Sequence, residues 1–312
     1  MKETNETTAE ESNEELSTLK ESLREALNDG DMQRADELRD QISPHLEVLK
    51  EEIEISPETA RKIMGEGGYF GPEEAEKAFK LNIDAKDIPK IPFDREDLES
   101  AKNLGDILVL RVDKDSDGDP LTMERMEEIT SFDGISPSRY AHNWWWDEAV
   151  FNRETPRTGW AIISGRPMMA TAGTDYLEQT EILVGSFFAN EFLGRSLPQE
   201  YQEAVRELEE KKDKIKDLMS QQILDLTVSK TLVDLKINRL LRPTPVEVAY
   251  DRFLHDSRKK KREKPLYGGN TIWTNGFMPD RGIVGMGGQK VFARPANGLV
   301  SGDFFAAMSR RS

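Results

Sequence analysis

The sequence predicts an α+β fold: a predominantly helical body with a short β-rich module at its C-terminus. Apolar residues recur at spacings of three and four through most of the first 255 positions, the period of amphipathic helices. Past Pro265 the composition changes to a Gly-rich, acid-poor tail in which short apolar pieces alternate with glycine turns. That tail sets two acids (Asp280, Asp303) against five bases (Arg281, Lys290, Arg294, Arg310, Arg311), so it is positive within a chain of net charge −16. Two modules with different jobs are expected.

Taken in order, residues 1–13 are acidic and too polar to fold alone, so a disordered tail is expected there. Residues 14–55 read as a coiled-coil-like helical hairpin. Leu16, Leu19, Leu23 and Leu27 mark one arm, and Ala35, Leu38 and Ile42 the other. Between the arms Gly30 permits a positive φ and Asp31 can cap the second helix; Ser43-Pro44 opens a further one. Residues 56–257 form a mixed, mainly helical body. It opens with Ser56 as cap and Pro57 at the first helical position, followed by a glycine turn at 65–71 and a helix through EEAEKAFKL. Two Ile-Pro pairs predict extended chain over 84–93, and a helix follows at 95–104. DILVLRV (106–112) reads as a strand, with a turn after it and a helix over 120–129 that has Asp119 as cap and Pro120 as first residue. A second strand is predicted at 159–164, then nearly continuous helix over 175–255, broken at Gly194, Pro198 and Arg242-Pro243. Residues 258–265 are a basic linker, and 266–312 the β module, with strands at 271–273, 283–284, 291–293 and 304–308.

Composition excludes several function classes. The chain has 312 residues, 37% of them hydrophobic, which is enough apolar material for a core in about two domains. It has no cysteine, which removes disulfides, thiolate nucleophiles, Cys-ligated zinc and iron–sulfur clusters together. The N-terminus lacks the apolar core of a secretory signal, and no run approaches the roughly 18 apolar residues of a membrane span. A cytoplasmic protein without membrane contact is expected. The net charge of −16 disfavours nucleic acid and anionic membrane as partners, since both are polyanions.

The segment Asp113-Lys-Asp115-Ser-Asp117-Gly118-Asp119-Pro-Leu-Thr-Met-Glu124 matches the calcium-loop pattern D-x-D-x-D-G-x5-E. Alternate carboxylates can converge on a hard cation, Gly118 permits the sharp turn, and Glu124 can close bidentately. The competing reading is a strand–turn–helix corner, because a strand precedes the loop and Pro120 and Leu121 occupy positions where an N–H and a polar side chain are usual. Trp144, Trp145 and Trp146 are consecutive and cannot share one face of a helix or strand. Either two are core and the third seals a seam, or they stack on a ligand. Lys259, Lys260, Lys261 and Arg262 read as a solvated helix end. His45, His142 and His255 are too far apart for ligand spacing, Asp147-Glu148 and Asp175/Glu178 are ordinary helix acids, and Gly285-Met-Gly287-Gly288 lacks the Lys-Ser/Thr of a phosphate loop.

Residues 19–42 resemble the UVR motif, a helical hairpin of bacterial excision-repair proteins and some protease regulators. The likeness rests on Leu23, Ala26, Gly30-Asp31, Ala35, Leu38-Arg39-Asp40 and Ile42. It implies a protein partner for the hairpin. The remainder, through LVLRVDKDSDGDPLTMERM, TPRTGWAIIS, DYLEQTEILV, LPQEYQEAV and LKINRLLRPTPVEVAYD, resembles proteins encoded in metagenomic bacterial genomes. TIWTNGF with the terminal SGDFFAAMSRRS is similar to the C-type-lectin/sulfatase-modifying-factor fold, which carries the variable region of diversity-generating retroelement targets. That resemblance implies ligand display. Its formylglycine-generating branch works through cysteines, which this chain lacks.

The function expected is therefore a non-enzymatic binding protein, with a protein partner on the hairpin and a ligand of unknown identity at the tail. Trp273, Phe277, Arg281, Arg294 and Phe304 are the candidate contacts, because aromatic and Arg side chains dominate binding hot spots. An ordinary β core is the competing role for Trp273 and Phe304. Two alternatives stay open. One is a metal-dependent hydrolase with Ca2+ held by Asp113, Asp115, Asp117, Asp119 and Glu124; the other is a phage or assembly structural protein.

Overall fold

The computed structural model describes residues 55–131, 148–191, 197–221, 226–258, 266–279, 281–287, 290–294 and 304–310, with positions 18, 19, 22, 23, 34, 37, 38, 41 and 42 before them. The chain divides into two compact units, Met1–Glu54 with Ser186–Gln202, and Ile55–Gly185 with Glu203–Ser312. In the first, the described positions of the expected hairpin are helical, and Leu23 and Ile42 are buried. The acidic segment 1–13, the linker residues 259–265, Trp144–Trp146, His45 and His142 lie outside the described residues.

The second unit opens with α1 (Pro57–Met64), whose cap Ser56 accepts the Thr59 N–H at 3.2 Å with Pro57 at the first position, as expected. β1 (Tyr69–Phe70) follows, then α2 (Pro72–Phe79), a short 3₁₀ turn at Ala85–Asp87, α3 (Arg95–Leu104) and β2 (Ile107–Arg111). α3 is closed at both ends, by an Asp94–Asp97 capping box and by Gly105 at φ 78°. After the acidic loop come α4 (Met123–Ser131), α5 (Ala149–Asn152), β3 (Gly159–Ile163) and a 3₁₀ turn at Met169–Thr171. The long helical region resolves into α6 (Tyr176–Glu191), α7 (Gln199–Ser220), α8 (Leu226–Asp234), α9 (Lys236–Leu241) and α10 (Pro245–Ser257). The Asp175/Glu178 pair is the capping box of α6. The tail supplies β4 (Thr271–Met278), β5 (Gly282–Gly287), β6 (Lys290–Arg294), β7 (Phe304–Phe305) and β8 (Ser309–Arg310). Helix predominates over strand, and the fold is α+β.

Among the described residues two four-stranded sheets form, ordered β1-β2-β3-β8 and β6-β5-β4-β7. β2 and β3 pair antiparallel with Leu108 opposite Ile162 and Leu110 opposite Trp160, while β1 lies parallel to β2. Both faces of this first sheet are covered, which explains why ILVL and WAII read as unbroken apolar runs. Leu108, Leu110, Trp160 and Ile162 pack with Ile63, Phe93 and Leu98 from α1, α3 and the segment before α3. Ile107, Val109, Ala161 and Ile163 face the main core, with Phe79, Met126, Tyr250 and Phe253.

Two sequence expectations need correcting. The helix predicted over 120–129 starts at Met123, and its cap is Thr122, whose Oγ1 accepts the Arg125 N–H at 3.1 Å. Pro120 instead forms a bridge with Lys114, and Leu121 donates to the Asp113 carbonyl at 2.8 Å. Burying Leu121 holds the chain extended for two more residues than the Asp119-Pro120 cap signal implied. The β-rich tail, in turn, is no closed module: β4–β7 form its own sheet, but β8 joins the body's sheet beside β3. Ile272, Val284, Met286, Phe305 and Ala307 of the tail share one core with Phe70, Ile107, Leu121 and Val246 of the body.

Candidate functional site

The β4–β5 hairpin is fixed firmly at its base. Trp273 is 7% exposed and meets the Tyr176 ring edge-on, centroids 6.2 Å apart. The Tyr176 hydroxyl donates to the Thr274 carbonyl at 3.0 Å, and Thr274 Oγ1 donates to the Val284 carbonyl at 2.7 Å. Beneath Tyr176 lies Arg242, fully buried, its guanidinium 4.0 Å from the ring centroid and donating to Asn238 Oδ1, Tyr176 O and Thr180 Oγ1. Gly276 allows the hairpin to press on α10, since a Cβ there would stand 2.4 Å from Pro245 Cγ. The register shifts between Trp273 and Phe277, a bulge in β4, and beyond it Met278 returns to the main core.

Of the five candidate contacts in the tail, Trp273 is therefore core. Phe277 is half-buried and Arg281 exposed, both at the hairpin tip, where the Arg281 N–H closes the turn on the Met278 carbonyl at 3.1 Å. Arg294 pairs with Ile283 on β6, and Phe304 pairs with Thr271 on β7, by their backbones.

The acidic loop folds on Asp115. Its Oδ1 accepts the N–H groups of Asp117 and Asp119 at 2.9 and 3.0 Å, and its Oδ2 accepts from Arg125 Nε at 2.8 Å. Burial pushes this carboxyl up, but Arg125 and the two N–H groups outweigh it and hold it below its ordinary range. Gly118 takes φ 85°, as the loop reading requires. Asp113 accepts from Thr158 Oγ1 at 2.8 Å, while Asp117, Asp119 and Glu124 are exposed and Asp117 Oδ2 lies 3.8 Å from Arg125 Nη2. Among the described residues no three of these carboxylates come together as a group that could hold a metal ion, and a cation at Asp115 has to displace Arg125. An open groove of about 600 Å³ runs beside the loop, lined by Phe79, Lys80, Ser116 and Arg125 among others.

Sequence reasoning missed two further groups of ionisable side chains. Arg111 at the end of β2 is 1% exposed and bidentate to Asp251, with Nε–Oδ1 2.9 Å and Nη2–Oδ2 2.6 Å. It also reaches Glu247 Oε1 at 3.5 Å and donates to Ser309 Oγ at 3.2 Å. Burial opposes its charge, but Asp251 and then Glu247 outweigh that and hold the guanidinium above its ordinary range. Arg157 meets Glu247 from the solvent side at 3.0 Å, so two arginines balance two fully buried carboxylates. The apolar neighbours of Arg111 hid this cluster in the sequence, although the i, i+4 pair Glu247/Asp251 on an otherwise buried helix was a legible sign of it. The other is Glu127 on α4, whose Oε1 is buried without a hydrogen-bond partner; burial, and then Glu124, push its carboxyl up to about 7.

His255 stacks beside Phe70, centroids 5.9 Å apart. No helix among the described residues is long and apolar enough to cross a membrane. No family model matches the chain, and neither a curated protein nor a solved structure matches it.

Proposed function

We propose that the protein is a binding protein whose recognition surface is the tip of the β4–β5 hairpin, carried on a helical scaffold. The observation behind this reading is the contrast along one hairpin. The base is locked by Trp273, Tyr176, Thr274 and Gly276, while Phe277 and Arg281 stand at the surface beyond the bulge. A rigid mount lowers the ordering cost of binding, and an aromatic beside an arginine is the composition of a hot spot. The N-terminal hairpin supplies a second contact, to a protein partner.

Photo-crosslinking in cells tests the assignment, with benzoylphenylalanine placed at Phe277, at Arg281 and at the exposed control Glu210 on α7. A discrete adduct from 277 and 281 that is missing from 210 supports the hairpin tip. Equal labelling from all three, or none from 277 and 281, ends it.

A second reading, a hydrolase with Ca2+ at the Asp113–Glu124 loop, is favoured by Glu127, a carboxyl near neutrality three residues beyond Glu124. Millimolar calcium then raises Tm, and Asp115→Ala abolishes the rise; an unchanged Tm disposes of this reading.

A further inference from the structure

Residues 304–310 run extended between the two sheets and are held by both. Phe304 and Phe305 pair in parallel with Thr271 and Ile272 of β4. Ala306 bridges to Met168, its carbonyl accepting the Met168 N–H at 2.9 Å and its own N–H donating to Thr171 Oγ1 at 2.8 Å. Met308 accepts from the Ser164 N–H at 3.0 Å and donates to Ser164 Oγ at 3.1 Å. Ser309 and Arg310 then pair antiparallel with Ile163 and Ile162 of β3. Every side chain from Phe305 to Arg310 is buried. Two of them meet polar or charged groups: Ser309 accepts from Arg111, and the Arg310 guanidinium lies 3.2 Å from Asp97 and 5.0 Å over the Phe93 ring.

Main-chain hydrogen bonds along sheet edges give a bound peptide its affinity, and pockets for particular side chains give it specificity. The C-terminal segment has both. Its backbone is read by β4, Met168, Ser164 and β3; Ala306 and Ala307, each 0% exposed, leave no room for larger side chains; a carboxylate and an aromatic ring read the arginine. We propose that the cleft between β3 and β4 is a peptide-acceptor site that the chain's own C-terminal segment fills, selecting an extended peptide with two small residues followed by Met-Ser-Arg. The segment supplies one edge strand to each sheet, β7 beside β4 and β8 beside β3.

The test uses the full chain with a specific protease site placed within 296–302, cleaved after folding so that only non-covalent contacts hold the segment. The cleaved segment is expected to co-elute with the body and to exchange for a fluorescein-labelled synthetic FFAAMSRRS. The same peptide carrying R310A should bind about tenfold or more weakly, the scale of one charge-assisted contact. Asp97→Asn in the body should weaken the unaltered peptide, and the two losses should not add. Loss of the segment on cleavage, whether or not the body stays folded, overturns the proposal. So does equal binding of a scrambled peptide.

Discussion

Arg111 and Glu127 show how burial opposes charge at two positions of one fold, with opposite outcomes. Arg111 keeps its charge because Asp251 and Glu247 are buried with it, so removing either side leaves the other uncompensated. Arg111→Met is expected to cost about 3–5 kcal/mol in urea unfolding, and a second change, Asp251→Leu, to recover part of that loss. Glu127 has no such partner among the described residues. Its carboxyl is harder to ionise in the folded chain than in the unfolded one, so the folded state binds more protons between the ordinary carboxylate range and about 7. Stability therefore falls as pH rises through that window and levels off above it. Glu127→Gln should leave Tm unchanged at about pH 4 and add about 1–2 kcal/mol at about pH 8, allowing for partial solvent screening. A Tm profile parallel to that of the wild type would contradict this. At the hairpin, Trp273→Ala should cost about 3–5 kcal/mol as a core truncation, whereas Phe277→Ala and Arg281→Ala should stay within about 0.5 kcal/mol.

Among the elements, those with strong local signals were legible. Ser56-Pro57, the Asp94 box with Gly105, the apolar runs of β2 and β3, and the four pieces of the tail all sit close to where their residues place them. What escaped was decided by distant contacts. Tyr69 and Phe70 make a strand only because β2 passes alongside, and Ser309-Arg310 is polar yet pairs with β3. The Asp119-Pro120 signal was overridden by the burial of Leu121. The acidic loop matches its motif residue for residue, but a pattern of letters does not show that Arg125, in the first turn of α4, reaches back to Asp115. Asp115→Ala is thus expected to lower stability by about 1–2 kcal/mol through the lost turn and ion pair, whether or not calcium is present.

For the unit as a whole, the break in composition near Pro265 promised two modules, yet the apolar residues of the tail fill the body's core. Ile272, Met286, Phe305 and Ala307 complete the cluster that Phe79, Met126 and Val246 begin, and Arg111 fastens the last strand from inside. Composition reports what faces solvent as well as what is buried, so a change in surface chemistry need not coincide with a change of core. The most direct test is calorimetry on a chain ending at residue 265. One shared core predicts that it loses the cooperative transition of residues 55–312; a sharp melt close to the full-length Tm would contradict it.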